Sequence, residues 1–289
     1  MTFEANNPAS VSRIFSASRW RLDGRTAIVT GGSKGIGRGC VLELLALGAR
    51  VLVVARGESS LNDLRSELTS NAAITSAAAV GAHQQSPVVD RFETLSADLS
   101  TAEGVERVVA RARELFGGSL DILVNNVGTN VRKKAIEYTE AEYHKVLSTN
   151  LESTFMLSVK LHDLLRRSAT GGSVVCIGSV AGITAMRTGV PYAMTKAAMI
   201  QMCKNLAGEW AGDNIRVNCV APWYIRTPLV APVLSNETFM NEVIARTPMK
   251  RVGEIEEISG VVAFLCMTPS SFVTGQTMSV DGGMTVYTF

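Results

Sequence analysis

The chain has 289 residues, 46% hydrophobic and 19% charged, which suits one large α/β domain with a sizeable core and excludes a disordered chain. Its 28 basic and 26 acidic residues leave a net charge of +2, so the charge balance marks neither a nucleic-acid nor a membrane-surface protein, and any anionic partner is a small molecule met locally. No apolar run approaches the roughly 20 residues of a membrane span.

Residues 1–21 are polar and lack the apolar middle of a secretory signal, so they read as a flexible tail on a cytoplasmic protein. From there, short apolar runs alternate with segments of helical period. Strands are expected at 26–30, 50–55, 92–97, 120–124, 173–177, 215–220 and 277–280. Helices are expected at 36–47, 58–69, 102–116, 132–135, 140–167, 192–210 and 255–266. The strands are apolar on both faces, so the alternation implies a doubly wound parallel sheet with helices on either side. No domain boundary interrupts 22–289. Residues 70–89 carry no charge and are rich in Ala and Ser, and they read as a surface insertion where a short loop would suffice.

The five cysteines, Cys40, Cys176, Cys203, Cys219 and Cys266, sit in apolar runs with no CxxC pair, which implies buried thiols in a reducing compartment. The three histidines, His83, His144 and His162, have no metal-ligand spacing, so no metal site is expected. The basic run Arg132, Lys133 and Lys134 reads as a solvated helix start.

Between the first strand and the first helix lies TGGSKGIG, residues 30–37. Gly31 permits the sharp turn out of the strand, Gly35 lets the backbone approach a pyrophosphate, and Gly37 lets the helix pack close to the sheet. Ser33, Lys34 and Ile36 complete a cofactor-binding turn at a positive helix end. An NAD site places an acid at the end of the second strand, about 20 residues on. Here Ala55 and Arg56 stand there. Arg56, with Lys34, suits a 2′-phosphate, so the expected cofactor is NADP(H).

Tyr192 and Lys196 share one helix face behind Pro191. A neighbouring ammonium stabilises a phenolate. The pair therefore suits proton donation to a carbonyl oxygen, or its reverse. Ser179 ends a strand at the carboxyl edge of the sheet, where its hydroxyl can orient a substrate oxygen.

These motifs, with NNVG at 125–128, Asn150, YAMTK at 192–196 and RVNCVAP at 216–222, are those of a known family. The chain resembles the short-chain dehydrogenase/reductases over about 22–287. NNVGTNVRK, APWYIRTPLV and RTPMKRVGE make it similar to their tropinone reductase-like subgroup. The resemblance implies a single-domain, Rossmann-type seven-stranded sheet ordered 3-2-1-4-5-6-7. It implies a catalytic set of Asn150, Ser179, Tyr192 and Lys196, with Asn150 holding a water that relays protons to Lys196, and transfer of the pro-S hydride. It further implies that Lys196 binds the nicotinamide ribose, Thr227 its carboxamide, and Asp98 the adenine. Asn126, Gly128, Leu99, Pro222 and Ile225 join the cofactor-binding residues. A homodimer or homotetramer through 140–167 and 192–210 is implied as well. One departure is Trp223, where the family often has glycine; it can shape the pocket or pack the loop.

Pocket walls are expected from 182–191 and from 223–249, the latter a lid. Ser179, Tyr192, Ile183, Met186, Val190, Trp223, Leu229, Val233 and Phe239 would line it, with no carboxylate aimed at the site. The expected activity is NADPH-dependent reduction of a small cyclic or apolar, tropinone-like ketone. A 3-oxoacyl-[acyl-carrier-protein] reductase is the alternative and needs a basic patch such as Arg132 to Lys134. A non-catalytic NADPH-binding protein is the remote one, since a pure binder has no need of Tyr192 and Lys196 together.

Overall fold

The computed structural model describes residues 12, 14–71 and 87–287. Most of the tail expected at 1–21, and 72–86 of the expected insertion, lie outside the described residues. The end of the tail is not loose. Ala17–Trp20 forms a 3-10 turn, Trp20 meets the ring of Phe264 at 6.5 Å between centroids, and Leu22 is buried.

The strands are β1 (Thr26–Thr30), β2 (Arg50–Ala55), β3 (Phe92–Ser96), β4 (Ile122–Asn125), β5 (Gly172–Ile177), β6 (Ile215–Pro222) and β7 (Thr277–Val280). They pair in parallel in the order β3-β2-β1-β4-β5-β6-β7. The order reverses between β1 and β4, where Val29 pairs with Val124. A crevice opens at that switch point, above the carboxyl ends of the strands.

The helices are α1 (Gly35–Ala46), α2 (Glu58–Ser70), α3 (Ala102–Phe116), α4 (Glu140–Leu147), α5 (Ser153–Leu165), α6 (Val190–Trp210), α7 (Ala231–Leu234), α8 (Glu237–Ala245) and α9 (Ile255–Cys266). Period-2 alternation in the strands assigns them to two cores. Ala27, Val29, Val51 and Val53 pack on one face with α1 and α9. Ile28, Leu52 and Val54 pack on the other with α3, α5 and α6. In α3 the stripe Val105, Val108, Val109, Ala112 and Phe116 is buried, the i, i+3, i+4 pattern of a helix laid on a sheet. Thr101 caps its start, accepting from the Gly104 N–H at 3.1 Å, and Gly117 ends it in the left-handed region.

Two expected elements differ. No α-helix forms at 132–135: residues 132–134 are irregular, and Ala135–Glu137 is a 3-10 turn in which Glu137 accepts from the Lys134 N–H. The single helix expected at 140–167 is interrupted by a π-helical turn, Ser148–Glu152, between α4 and α5. Among the described residues, no helix is long and apolar enough to cross a membrane.

Candidate active site

The cofactor turn is built by close backbone approach. Gly31 has φ +62°, a conformation that other residues resist. A Cβ on Gly37 would lie 2.2 Å from the Gly31 carbonyl oxygen and 2.4 Å from Asn126 Nδ2, so only glycine fits. Asn126 Nδ2 donates to the carbonyls of Thr30 (3.0 Å) and Gly31 (3.2 Å). Thr30 Oγ1 accepts from the N–H groups of Asn126 (2.9 Å) and Val127 (3.2 Å). Asn126 thus braces the turn from across the switch point. At the α1 N-terminus, Lys34 makes no side-chain cap and no acid occupies the first turn, so the helix end keeps its positive character. Narrow glycine backbone and an uncapped helix start together fit the pyrophosphate of a dinucleotide.

The neighbouring corner carries charge. Arg56 leaves β2 with its side chain 60% exposed, and its Nη1 is 3.9 Å from Asp98 Oδ2. So open a pair is weak and leaves the guanidinium available. Burial alone pushes the Asp98 carboxyl up, but two hydrogen bonds from Ser100 and the Arg56 charge outweigh it and hold it down. Ser33 Oγ accepts from Ser60 Oγ at 3.0 Å, which ties the glycine turn to α2. Leu99 and Ile225 bury their side chains in the two cores, so only their backbones can face a cofactor. Thr227 sits opposite the turn: a Cβ on Gly35 would come 3.5 Å from Thr227 Cβ. Pro222 ends β6 beside Val280.

The chemical residues converge from three elements. Lys196 is 3% exposed, and its Nζ donates to the Ile177 carbonyl at 2.6 Å, at the end of β5. The same Nζ lies 5.6 Å from the centre of the Tyr192 ring. Asn150 is fully buried in the π-helical turn. Its Nδ2 donates to the Thr129 carbonyl (3.0 Å) and Thr195 Oγ1 (3.1 Å), and its Oδ1 accepts from the Thr129 N–H (2.7 Å). Gly128 lies between the two groups, for a Cβ there would be 3.6 Å from both Asn150 Oδ1 and Lys196 Nζ. Ser179 Oγ accepts from the Ala181 N–H at 3.1 Å, which fixes the hydroxyl at the strand end.

Ser179 and Tyr192 open into a cavity of about 430 Å³ whose walls include Met186, Trp223, Leu229, Val233 and Phe239. Trp223 both packs the loop and shapes the wall. Its Nε1 donates to Thr247 Oγ1 at 3.1 Å, and its ring meets Tyr224 edge-on at 4.6 Å. Ile183 and Val190, expected in the wall, are not part of it; they are 48% and 45% exposed and turn to solvent. Ile183 closes a 3-10 turn and Val190 is the first residue of α6.

The wall is also not as uncharged as expected. Arg132, Arg187, Arg246 and Glu242 line it. Arg132 had read as part of a solvated helix start, yet with no helix there the loop after β4 turns it toward the cavity. Its position was a usable signal, since loops at strand carboxyl ends carry ligand contacts in such sheets. Lys133, next to it, is paired with Glu142.

Residues 31–285 match the family model described as enoyl-(acyl carrier protein) reductase. A tropinone reductase homolog of Arabidopsis thaliana is 47% identical over 271 residues, covering 94% of this chain and 96% of the relative. The Pseudomonas aeruginosa RhlG/NADP active-site complex is similar at TM-score 0.81 and 33% identity, covering 94% of this chain and 100% of that one. A short-chain type dehydrogenase/reductase from Mycobacterium marinum is similar at TM-score 0.81 and 27% identity, covering 93% and 99%.

Proposed function

Because the chain belongs to the short-chain dehydrogenase/reductase family of nicotinamide-dependent oxidoreductases, in its tropinone reductase-like subgroup, we propose that it reduces a small ketone with NADPH. The observation that carries this reading is the convergence of Ser179 and Tyr192 on one cavity, with Lys196 held behind them by the Ile177 carbonyl.

NADPH, when bound, supplies the hydride. Gly31, Gly35 and Gly37, with the N–H groups of Ser33 and Ile36, hold the pyrophosphate. Lys34 and Arg56 face the 2′-phosphate, which an acid at the end of β2 would repel. Asp98 and the Leu99 backbone hold the adenine end. Asn126, Gly128, Pro222, Ile225 and Thr227 border the nicotinamide end, and Lys196 binds its ribose. A relative solved with NADP supports this choice of cofactor.

Ser179 orients the substrate carbonyl, and Tyr192 gives its proton to the carbonyl oxygen. Lys196 stabilises the phenolate left behind. Asn150, locked by three hydrogen bonds, backs Lys196 in resupplying the proton. Residues 223–250, with α7 and α8, act as a lid that excludes water. The substrate is a compact ketone whose apolar body lies on Trp223, Leu229 and Phe239. The acyl-carrier alternative has less support: Lys133 is engaged by Glu142 and Arg132 lines the cavity, so of the three basic residues only the exposed Lys134 is left for an acidic carrier protein. Five buried free cysteines support a reducing compartment, and we place the protein in the cytoplasm.

The test follows NADPH consumption by purified protein against small ketones, with NADH alongside. Tyr192→Phe is expected to lower kcat by about a hundredfold or more. Retained turnover in that variant rules out Tyr192 as the proton donor.

A further inference from the structure

The charges in the cavity wall do not suit an uncharged ketone. Three arginines line it and only one carboxylate, Glu242. They come from separate segments: Arg132 from the loop after β4, Arg187 from the loop before α6, and Arg246 from the end of α8. Glu242 is already engaged, accepting from Arg187 Nη2 at 2.8 Å across the two walls. No carboxylate among the described residues pairs with Arg132 or Arg246. The wall therefore carries two positive charges that nothing in it offsets.

Arg132 is the better placed of the two. It is half-buried, and its charge acts on the Tyr224 phenol, which lines the same cavity. Burial pushes that phenol up, while Arg132 and Arg187 pull it the other way; Tyr192 also acts on it. Arg132, Tyr224 and Tyr192 all line this cavity. A merely solvated arginine directs its head to bulk water. A half-buried arginine on a concave wall with Tyr224, Trp223 and Phe239 sits where the local field is strengthened rather than screened.

We propose that the ketone taken by this site carries a carboxylate, held by Arg132 and Arg246, while its carbonyl lies at Ser179 and Tyr192. The proposal rests on the ketone-reductase reading above and narrows its substrate class. Guanidinium and carboxylate match as paired, charge-assisted hydrogen bonds. A protonated amine on the ring would instead meet two like charges.

The test uses the full-length protein, NADPH and one ring in three forms: cyclohexanone, the ring bearing a carboxylate, and the ring bearing an amine. kcat/KM for the oxo acid is expected to exceed that for cyclohexanone by about tenfold or more, through KM. The advantage declines with added salt. Arg132→Gln and Arg246→Gln each reduce the acid-to-neutral ratio, and Arg132→Lys, which keeps the charge, restores part of it. A second readout needs no turnover: cyclohexanecarboxylate changes the fluorescence of Trp223 in the cavity wall, at lower concentration for the wild type than for Arg132→Gln.

If cyclohexanone or the amino ketone is reduced as well as the oxo acid, the inference is overturned and the reductase reading stands. If none of the three is reduced, the reductase reading fails for this class and the fluorescence titration decides. Carboxylate binding that weakens in Arg132→Gln retains the anion site, and binding that is absent or unchanged removes it.

Discussion

Arg56 illustrates how one side chain can select between two cofactors. It follows β2 directly, is largely exposed, and is only loosely paired with Asp98 at 3.9 Å. Arg56→Glu is expected to lower kcat/KM with NADPH by about tenfold to a hundredfold, because an acid repels a 2′-phosphate, while NADH loses less. An unchanged ratio of the two cofactors in steady-state kinetics excludes a role for Arg56. At this scale the site was largely legible. Tyr192 and Lys196 lie four apart on one helix face, and Ser179 ends a strand at the carboxyl edge, so local pattern offered each as a candidate and the family resemblance joined them. Arg132 was not legible in the same way, because its surroundings come from Tyr224, Trp223 and α8, about 90 residues or more further along the chain.

Among the elements, the π-helical turn Ser148–Glu152 is the least expected. Helical periodicity runs smoothly through 140–167, and nothing in the residue types breaks it. The extra residue in the turn places the Asn150 carboxamide against Thr129 and Thr195, and such turns cluster at functional sites. A second element links the site to stability. The α9 N-terminus is capped by Glu257, which accepts from the Glu254 N–H at 2.8 Å and pairs with Arg251. The hydrogen bond from Arg251, then the backbone bond from Glu254, hold the Glu257 carboxyl down at about 2. A depressed carboxyl contributes stability above its unfolded value of 4.5 and loses it as pH falls toward 2. Glu257→Gln is therefore expected to melt below the wild type at neutral pH, with the gap closing on acidification. A gap independent of pH shows that Glu257 acts by packing alone. The pair is exposed, so the effect is small.

For the whole molecule, the sheet order and the faces it leaves open matter most. Phe155, Met156 and Val159 on α5 are exposed, as is Met194 on α6. We propose that these faces join copies of the chain in a symmetric homodimer or homotetramer. Met156→Arg combined with Val159→Arg is expected to shift the protein to a smaller species in sedimentation, since an interface core excludes unpaired charge. A wild type that sediments as a monomer at all concentrations removes the proposal.

The sequence by itself determined what depends on local pattern. Apolar runs separated by helical period specify a parallel sheet covered on both faces, and TGGSKGIG between the first strand and first helix specifies a phosphate-binding turn. The family motifs then implied the strand order that is observed, because they carry the crossovers with them. Tertiary structure alone decided what depends on distant neighbours. It set the Trp20 ring against Phe264 of α9, opened the helix at Asn150, left Ile183 and Val190 in solvent, and gathered Arg132, Arg187 and Arg246 into one wall. Periodicity reports which face of an element is buried, whereas the charge of a cavity is a sum over side chains from separate loops, and only the folded chain performs that sum.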